Sequence, residues 1–117
     1  MWRASPQQIR LGTAVAVVPL NHPLRLAEDV ATVDFVSNGR LELGIGSGYR
    51  HDEFTGFRVA QEDSRAMLRE GVEILLRAWA GEPFAYHGRY HTIPEGTVVR
   101  PVPVQQPRRT WSGLRAT

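Results

Sequence analysis

Apolar residues dominate two short runs of the chain, and one amphipathic stretch separates these runs. The runs cover residues 9–18 and 41–45, and each is typical of a strand buried in a parallel sheet. Between them, residues 24–36 place apolar side chains at helical spacing, with polar side chains on the opposite side of the helical wheel. This order predicts a βαβ unit whose helix packs on a parallel sheet.

A second amphipathic stretch predicts a helix over residues 64–79, with Trp79 in the core. Its solvent side is predicted to carry the charged residues Arg69, Glu70, Glu73 and Arg77. Residues 84–93 alternate aromatic and β-branched side chains around a glycine, which predicts a β-hairpin. The prolines that follow exclude a helix and predict an extended connector over residues 94–107.

Asp34 interrupts the apolar face of the first predicted helix. A buried carboxylate without a partner would cost several kcal/mol, so Asp34 needs one. Arg40 begins the next predicted strand and is the candidate. The sequence therefore predicts a buried ion pair that joins the helix to the strand.

Composition and charge exclude several classes of function. The chain has no cysteine, which excludes disulfides and cysteine-ligated metals. Its 14 basic residues are scattered among 12 acidic ones for a formal net charge of +2, which argues against binding nucleic acid. His51, Asp52 and Glu53 are residue types that bind metals, yet neighbours on one loop rarely chelate one ion, so we expect a solvated loop and no metal site. Neither a membrane span nor a secretory signal is visible, which predicts a cytoplasmic protein without a membrane partner.

Glycines alternate at the end of the second predicted strand, at Gly44, Gly46 and Gly48. Because glycine lets another group approach the backbone closely, this pattern is typical of a floor for a flat or anionic ligand. A tight turn without a ligand is the alternative interpretation. The loop over residues 19–23 follows the other strand, and parallel strands end at the same edge of a sheet. We therefore expect loops 19–23 and 46–49 to lie side by side.

The chain resembles the bacterial luciferase-like flavin-dependent monooxygenase family over roughly residues 9–107. Many identities at constant spacing carry the resemblance: Arg10-Leu11-Gly12-Thr13-Ala14-Val15, Pro19, His22-Pro23, Arg25, Glu28-Asp29, Asp34, Gly39-Arg40, Gly44, Gly48-Tyr49, Phe54, Phe57, Ser64-Arg65 and Tyr86-His87-Gly88-Arg89-Tyr90. The implied fold class is α/β, a partial TIM (β/α)8 barrel of parallel strands and helices with a β-hairpin excursion.

Length limits how much of such a barrel the chain contains. A complete barrel needs about 250 residues, and this chain has 117. We expect one partial barrel domain over residues 1–117 that supplies roughly the third and fourth βα units. The ends, about 1–8 and 108–117, do not follow the family pattern, so we expect ragged ends and a fragment of a longer protein.

The resemblance implies a cofactor site at the carboxyl ends of the strands. Its cofactor-binding residues would be Thr13, Ala14, Val15, Ser47, Gly48 and Tyr49, with a non-prolyl cis peptide bond at Ala14–Val15 next to the glycine loop. The implied cofactor is reduced FMN, and the deazaflavin coenzyme F420 is the alternative. No catalytic residue is assigned, because the family's catalytic base lies in segments outside this chain.

Reduced FMN from a separate flavin reductase would make the parent protein a monooxygenase that oxidises a small organic substrate with O2. A deazaflavin would mean hydride transfer instead. The chain alone is expected to be inactive. Two readings outside catalysis stay open: a non-catalytic α/β fragment, and a binding module that forms a homo-oligomer to cover its unpaired strand edges.

Overall fold

The computed structural model describes residues 9–105 and the backbone of residues 114–116. In chain order its elements are β1 (Leu11–Gly12), β2 (Ala16–Val17), α1 (Pro23–Val36), β3 (Leu41–Gly46), α2 (His51–Phe57), α3 (Ser64–Trp79), β4 (Phe84–His87), β5 (Thr92–Thr97) and β6 (Leu114–Ala116). Short 3-10 turns precede α1 and α3. The predicted ragged ends lie outside the described residues, except for the backbone of β6.

Strand β3 is the centre of a parallel sheet. Its start pairs with β1, where Leu11 lies opposite Leu41, and its end pairs with β2, where Ala16 lies opposite Ile45. The other edge of β3 pairs with β6, also in parallel. The βαβ prediction is confirmed, whereas the sequence pattern did not predict β6.

The first predicted strand is split into two short pieces. Five residue steps separate Leu11 from Ala16, but only four separate their partners Leu41 and Ile45. The extra residue lies in the segment between β1 and β2. Here the Thr13 side chain, rather than a continuous backbone ladder, bonds to β3. The prediction of one strand over residues 9–18 is therefore wrong in its continuity.

Helices α1 and α3 pack against each other and bury the core together with β3. Leu43, Ile74 and Leu75 are fully buried. The indole of Trp79 is also buried and donates its Nε1–H to the carbonyl oxygen of Ala27 at 3.1 Å. The predicted bounds of α3 and the core position of Trp79 are confirmed.

Asp34 is completely buried, yet its partner is not the predicted one. Its carboxylate accepts hydrogen bonds from the backbone N–H and the side-chain Nε2 of Gln105, at 2.9 and 2.7 Å. The Arg40 guanidinium instead donates to the carbonyl oxygens of Ser37 and Ile9, both at 2.7 Å. The predicted ion pair is wrong, because the connector after the hairpin returns to α1 and brings a neutral donor to Asp34.

Strands β4 and β5 form the predicted antiparallel hairpin. The turn between them contacts Glu70 of α3, which was predicted to face solvent. Glu70 is only 8% exposed, and its carboxylate accepts the backbone N–H groups of Arg89, Tyr90 and His91 at 2.8, 3.0 and 2.8 Å. The prediction for Glu70 is wrong, because its carboxylate is buried and accepts the backbone hydrogen bonds of the hairpin turn.

The segment expected to be a solvated loop folds as helix α2. Phe54 anchors it with a side chain that is 1% exposed, while His51 and Asp52 remain on the surface. The prediction of a loop is therefore wrong, because the backbone of this segment is helical. In the described ranges, no helix is long and apolar enough to cross a membrane.

Candidate functional site

An open cleft of about 430 Å3 lies at the carboxyl ends of β2 and β3. The pairing of Val17 with Gly46 brings these two strand ends together. The cleft is lined by Ala14, Val15, Val17, Gly46, Ser47, Gly48, Tyr49 and Glu53. Five of the six residues predicted to bind a cofactor therefore share one cavity. The peptide bond Ala14–Val15 lies beside the glycine loop and is cis, as the resemblance implied.

Thr13, the sixth predicted residue, joins the two strands and is absent from the lining of the cleft. Its hydroxyl donates to the carbonyl oxygen of Gly44 at 2.8 Å and accepts from the backbone N–H of Gly44 at 3.0 Å. A Cβ atom on Gly44 would clash with the carbonyl oxygen of Thr13. At Gly44, the close approach that glycine permits is therefore a contact with the protein's own backbone and not with a ligand.

Gly48 keeps the loop after β3 thin. Its φ angle is +86°, and a Cβ atom there would lie 2.8 Å from Val17 and 3.0 Å from the ring of Phe54. Both the backbone conformation and the packing require glycine. Because no side chain projects from Gly48, the adjacent cleft remains open between the strand ends and Tyr49.

A second cavity of about 360 Å3 adjoins the first and is lined by Ser47, Arg65, Leu68 and Arg69. Ser47 lines both cavities. Arg65 and Arg69 are four residues apart on α3, and within the described residues neither guanidinium has a hydrogen-bond or ion-pair partner. Two arginines and a serine thus line one cavity, and these residue types can bind an anion.

Neither Arg65 nor Arg69 was predicted from the sequence to belong to a site. Arg69 was placed on the solvent side of α3, and Arg65 entered only as part of the resemblance. The available signal was their spacing, because residues i and i+4 lie on the same face of a helix. Which face turns toward the glycine loop depends on packing, which the spacing does not reveal.

The rim of the cleft is formed by Tyr49 and Glu53. The Tyr49 side chain is 85% exposed, and its carbonyl oxygen accepts a hydrogen bond from Gln61 Nε2 at 3.3 Å. Gln61 Oε1 lies 3.1 Å from Nδ1 of His51, so the loop is tied to α2 on its outer side. Among the described residues, no three side chains of His, Asp or Glu are grouped to hold a metal ion.

The chain matches the family model described as "Luciferase-like monooxygenase" over residues 4–113. It is 49% identical to the uncharacterized protein y4vJ of Sinorhizobium fredii over 74% of this chain and 24% of that protein. It is 34% identical to the oxygenase component of a flavin-dependent trigonelline monooxygenase of Acinetobacter baylyi, over 86% of this chain and 28% of that protein. It is 32% identical to an F420-dependent glucose-6-phosphate dehydrogenase of Kineococcus radiotolerans, over 86% of this chain and 32% of that protein.

Among solved structures, the chain superposes on the monooxygenase RslO1 of Streptomyces bottropensis with a TM-score of 0.81 and 36% identity. The match covers 86% of this chain and 30% of RslO1. The expectation of a partial (β/α)8 barrel is thereby confirmed. The chain spans between 24% and 32% of the length of these three curated relatives.

Proposed function

Since the chain belongs to the luciferase-like monooxygenase family, we propose that it forms the cofactor-binding part of a flavin-dependent oxidoreductase, with reduced FMN as cofactor. We call this chain together with the remaining barrel units that its relatives carry the complete protein. The proposal rests mainly on one observation: Ser47 lines both the cleft and the arginine cavity. A ligand with a flat part and an anionic part fits this pair of cavities.

The flat ring system would lie in the cleft against backbone and small side chains. Ala14, Gly46 and Gly48 contribute no bulky side chain there, and Val15 and Val17 offer apolar surface. Ligand cavities are commonly a few hundred Å3 with mostly apolar walls, a size and character that this cleft matches. These residues would orient the ring and keep water from one side of it.

The phosphate would lie in the second cavity. The Ser47 hydroxyl would donate a hydrogen bond, and the guanidinium groups of Arg65 and Arg69 would supply charge-assisted ones. Both arginines are free of partners among the described residues, so binding an anion would break no ion pair there. This arrangement suits the terminal phosphate of FMN.

When bound, reduced FMN supplies two electrons to O2, so that one oxygen atom enters an organic substrate and the other leaves as water. The relative from Acinetobacter baylyi is named as an oxygenase component, which supports a separate reductase as partner of the complete protein. The work of this chain would be to hold the ring beside Ala14–Val15 and the phosphate beside α3.

A phosphate-dependent affinity test examines the proposal. The complete protein is titrated with FMN and with riboflavin, which lacks the phosphate, and Arg65→Gln and Arg69→Gln are compared with wild type. We expect each substitution to weaken FMN about tenfold and to change riboflavin binding little. Arg25→Gln on the exposed side of α1 is the control and should change neither ligand. Equal losses for both ligands, or none, would refute the phosphate assignment.

The deazaflavin F420 is the second candidate cofactor, because the relative from Kineococcus radiotolerans is named as dependent on it. With that cofactor the reaction would be hydride transfer without oxygen incorporation. Competition between reduced FMN and F420 for the complete protein separates the two proposals. Tighter binding of FMN supports the monooxygenase, and tighter binding of F420 supports the dehydrogenase.

A further inference from the structure

Glu53 is the one charged residue among the described residues that line the cleft. Its cleft neighbours among the described residues are aliphatic side chains, glycine backbone and the hydroxyl-bearing residues Ser47 and Tyr49. Glu53 is half-buried in the first turn of α2. From the sequence alone, Glu53 was expected in a solvated loop, and the proposed flavin site makes no use of it.

No partner occupies the Glu53 side chain within the described residues. The salt bridge among the described residues joins Arg10 to Glu42 and does not involve Glu53. The backbone N–H of Glu53 donates to the carbonyl oxygen of Arg50, which leaves the side chain available. The nearby Gln61 is already engaged with Tyr49 and His51. A carboxylate can only accept hydrogen bonds, so a ligand group beside it must donate them or carry positive charge.

The two cavities differ in sign. Arg65 and Arg69 make the second cavity cationic, while Glu53 makes the rim of the cleft anionic. An anionic cofactor tail is thus attracted to the second cavity and repelled from the rim of the cleft. A ligand that binds at the rim is instead favoured when it carries positive charge, because charge complementarity discriminates between partners.

We propose that Glu53 selects a substrate with an apolar body and a positively charged nitrogen, and that this nitrogen binds at the rim of the cleft. The proposal rests on the flavin site proposed above and names the substrate class for it. Glu53 acts as a specificity residue at the rim beside Tyr49, while Val15 and Val17 remain the floor under the flavin ring.

The test uses the complete protein loaded with FMN and two probes of equal shape, benzylammonium and benzyl alcohol. Their dissociation constants are measured by the change in flavin absorbance or by ligand-observed NMR. We expect wild type to bind benzylammonium about tenfold more tightly than benzyl alcohol, and Glu53→Gln to remove this preference. Asp52→Asn is the matched control, since it removes the same charge from the neighbouring exposed position of α2.

Three results would overturn the proposal. Equal affinity of wild type for both probes would show that the cleft does not discriminate by charge. An effect of Asp52→Asn equal to that of Glu53→Gln would show that the preference comes from long-range electrostatics and not from contact with Glu53. A Glu53→Gln variant that weakens FMN but leaves the probe preference intact would assign Glu53 to the cofactor. Failure of wild type to bind FMN would instead refute the proposed function, so the two failures are distinguishable.

Discussion

Asp34 and Gln105 form a buried two-point contact between residues that are 71 positions apart. Gln105 also donates from Nε2 to the carbonyl oxygen of Leu41 at 2.6 Å. One glutamine thereby connects the end of α1, the start of β3 and the connector after the hairpin. The contact closes the βαβ unit at the edge opposite the cleft.

Removing Asp34 should therefore destabilise the protein through Gln105. We expect Asp34→Ala to lower the free energy of unfolding by about 2–4 kcal/mol, because buried donors lose a charged acceptor. Denaturant melts of Asp34→Ala, Gln105→Ala and the double variant measure the coupling. Asp29→Ala, on the exposed side of the same helix, should cost under about 0.5 kcal/mol. Additive losses at Asp34 and Gln105 would contradict the contact.

The hairpin turn should depend on Glu70 in the same way. Glu70→Gln replaces an acceptor oxygen by an N–H2 group that faces the backbone donors of residues 89–91. We expect a loss of about 2–4 kcal/mol and faster amide exchange at those residues. The comparison variant is Glu62→Gln, at an exposed position in the turn before α3. Unchanged exchange in the hairpin would show that the carboxylate does not hold the turn.

The free energy of unfolding should also decrease at acidic pH because of His91. Burial and the neighbouring His22, whose ring centroid is 5.1 Å away, lower the pKa of His91 below 6.5, although Glu70 opposes them. The folded state thus favours neutral His91, so its contribution is complete above about pH 6.5 and is lost as the pH falls through the folded pKa. In His91→Gln the free energy of unfolding should depend less steeply on pH there. The exposed His87→Gln should keep the wild-type slope, and an identical slope in both variants would refute the assignment.

Gly44 offers a test of the close contact behind the predicted cofactor loop. Gly44→Ala would push a methyl group into the carbonyl oxygen of Thr13 and force β3 away from its neighbour. We expect a loss of about 1–3 kcal/mol in stability and weaker FMN binding by the complete protein. Gly56→Ala is the control, since nothing lies within 4 Å of a Cβ there. A neutral Gly44→Ala would mean that the two strands separate without cost.

The 117-residue chain by itself should not bind flavin stoichiometrically. It carries only part of the barrel of its relatives, and a ligand held by few of its loops gains too little to offset its lost freedom. A fluorescence titration of the isolated chain with FMN is the measurement. Micromolar binding by a folded monomer would contradict this expectation and favour a self-sufficient binding module.

Much of the secondary structure follows from local pattern. The apolar repeat of α3 ends at Trp79 in the structure as in the sequence, and the alternation after it produces the β4–β5 hairpin. The parallel βαβ order also follows, because one helical crossover makes successive strands neighbours. These features depend on residues close together in the chain. They are sufficient to predict that Ala14–Val15 and the glycine loop lie at one edge of the sheet.

Tertiary structure decided the partners of the charged residues. Sequence proximity favoured Arg40 as the partner of Asp34, yet Gln105 contacts this carboxylate. Helical periodicity placed Glu70 in solvent, yet the hairpin turn donates to it. The joint cavity of Ser47 with Arg65 likewise needs α3 to lie beside the end of β3. A buried carboxylate accepts hydrogen bonds from whichever donors lie beside it. Packing between segments far apart in the sequence brings those donors there, and local periodicity does not reveal it.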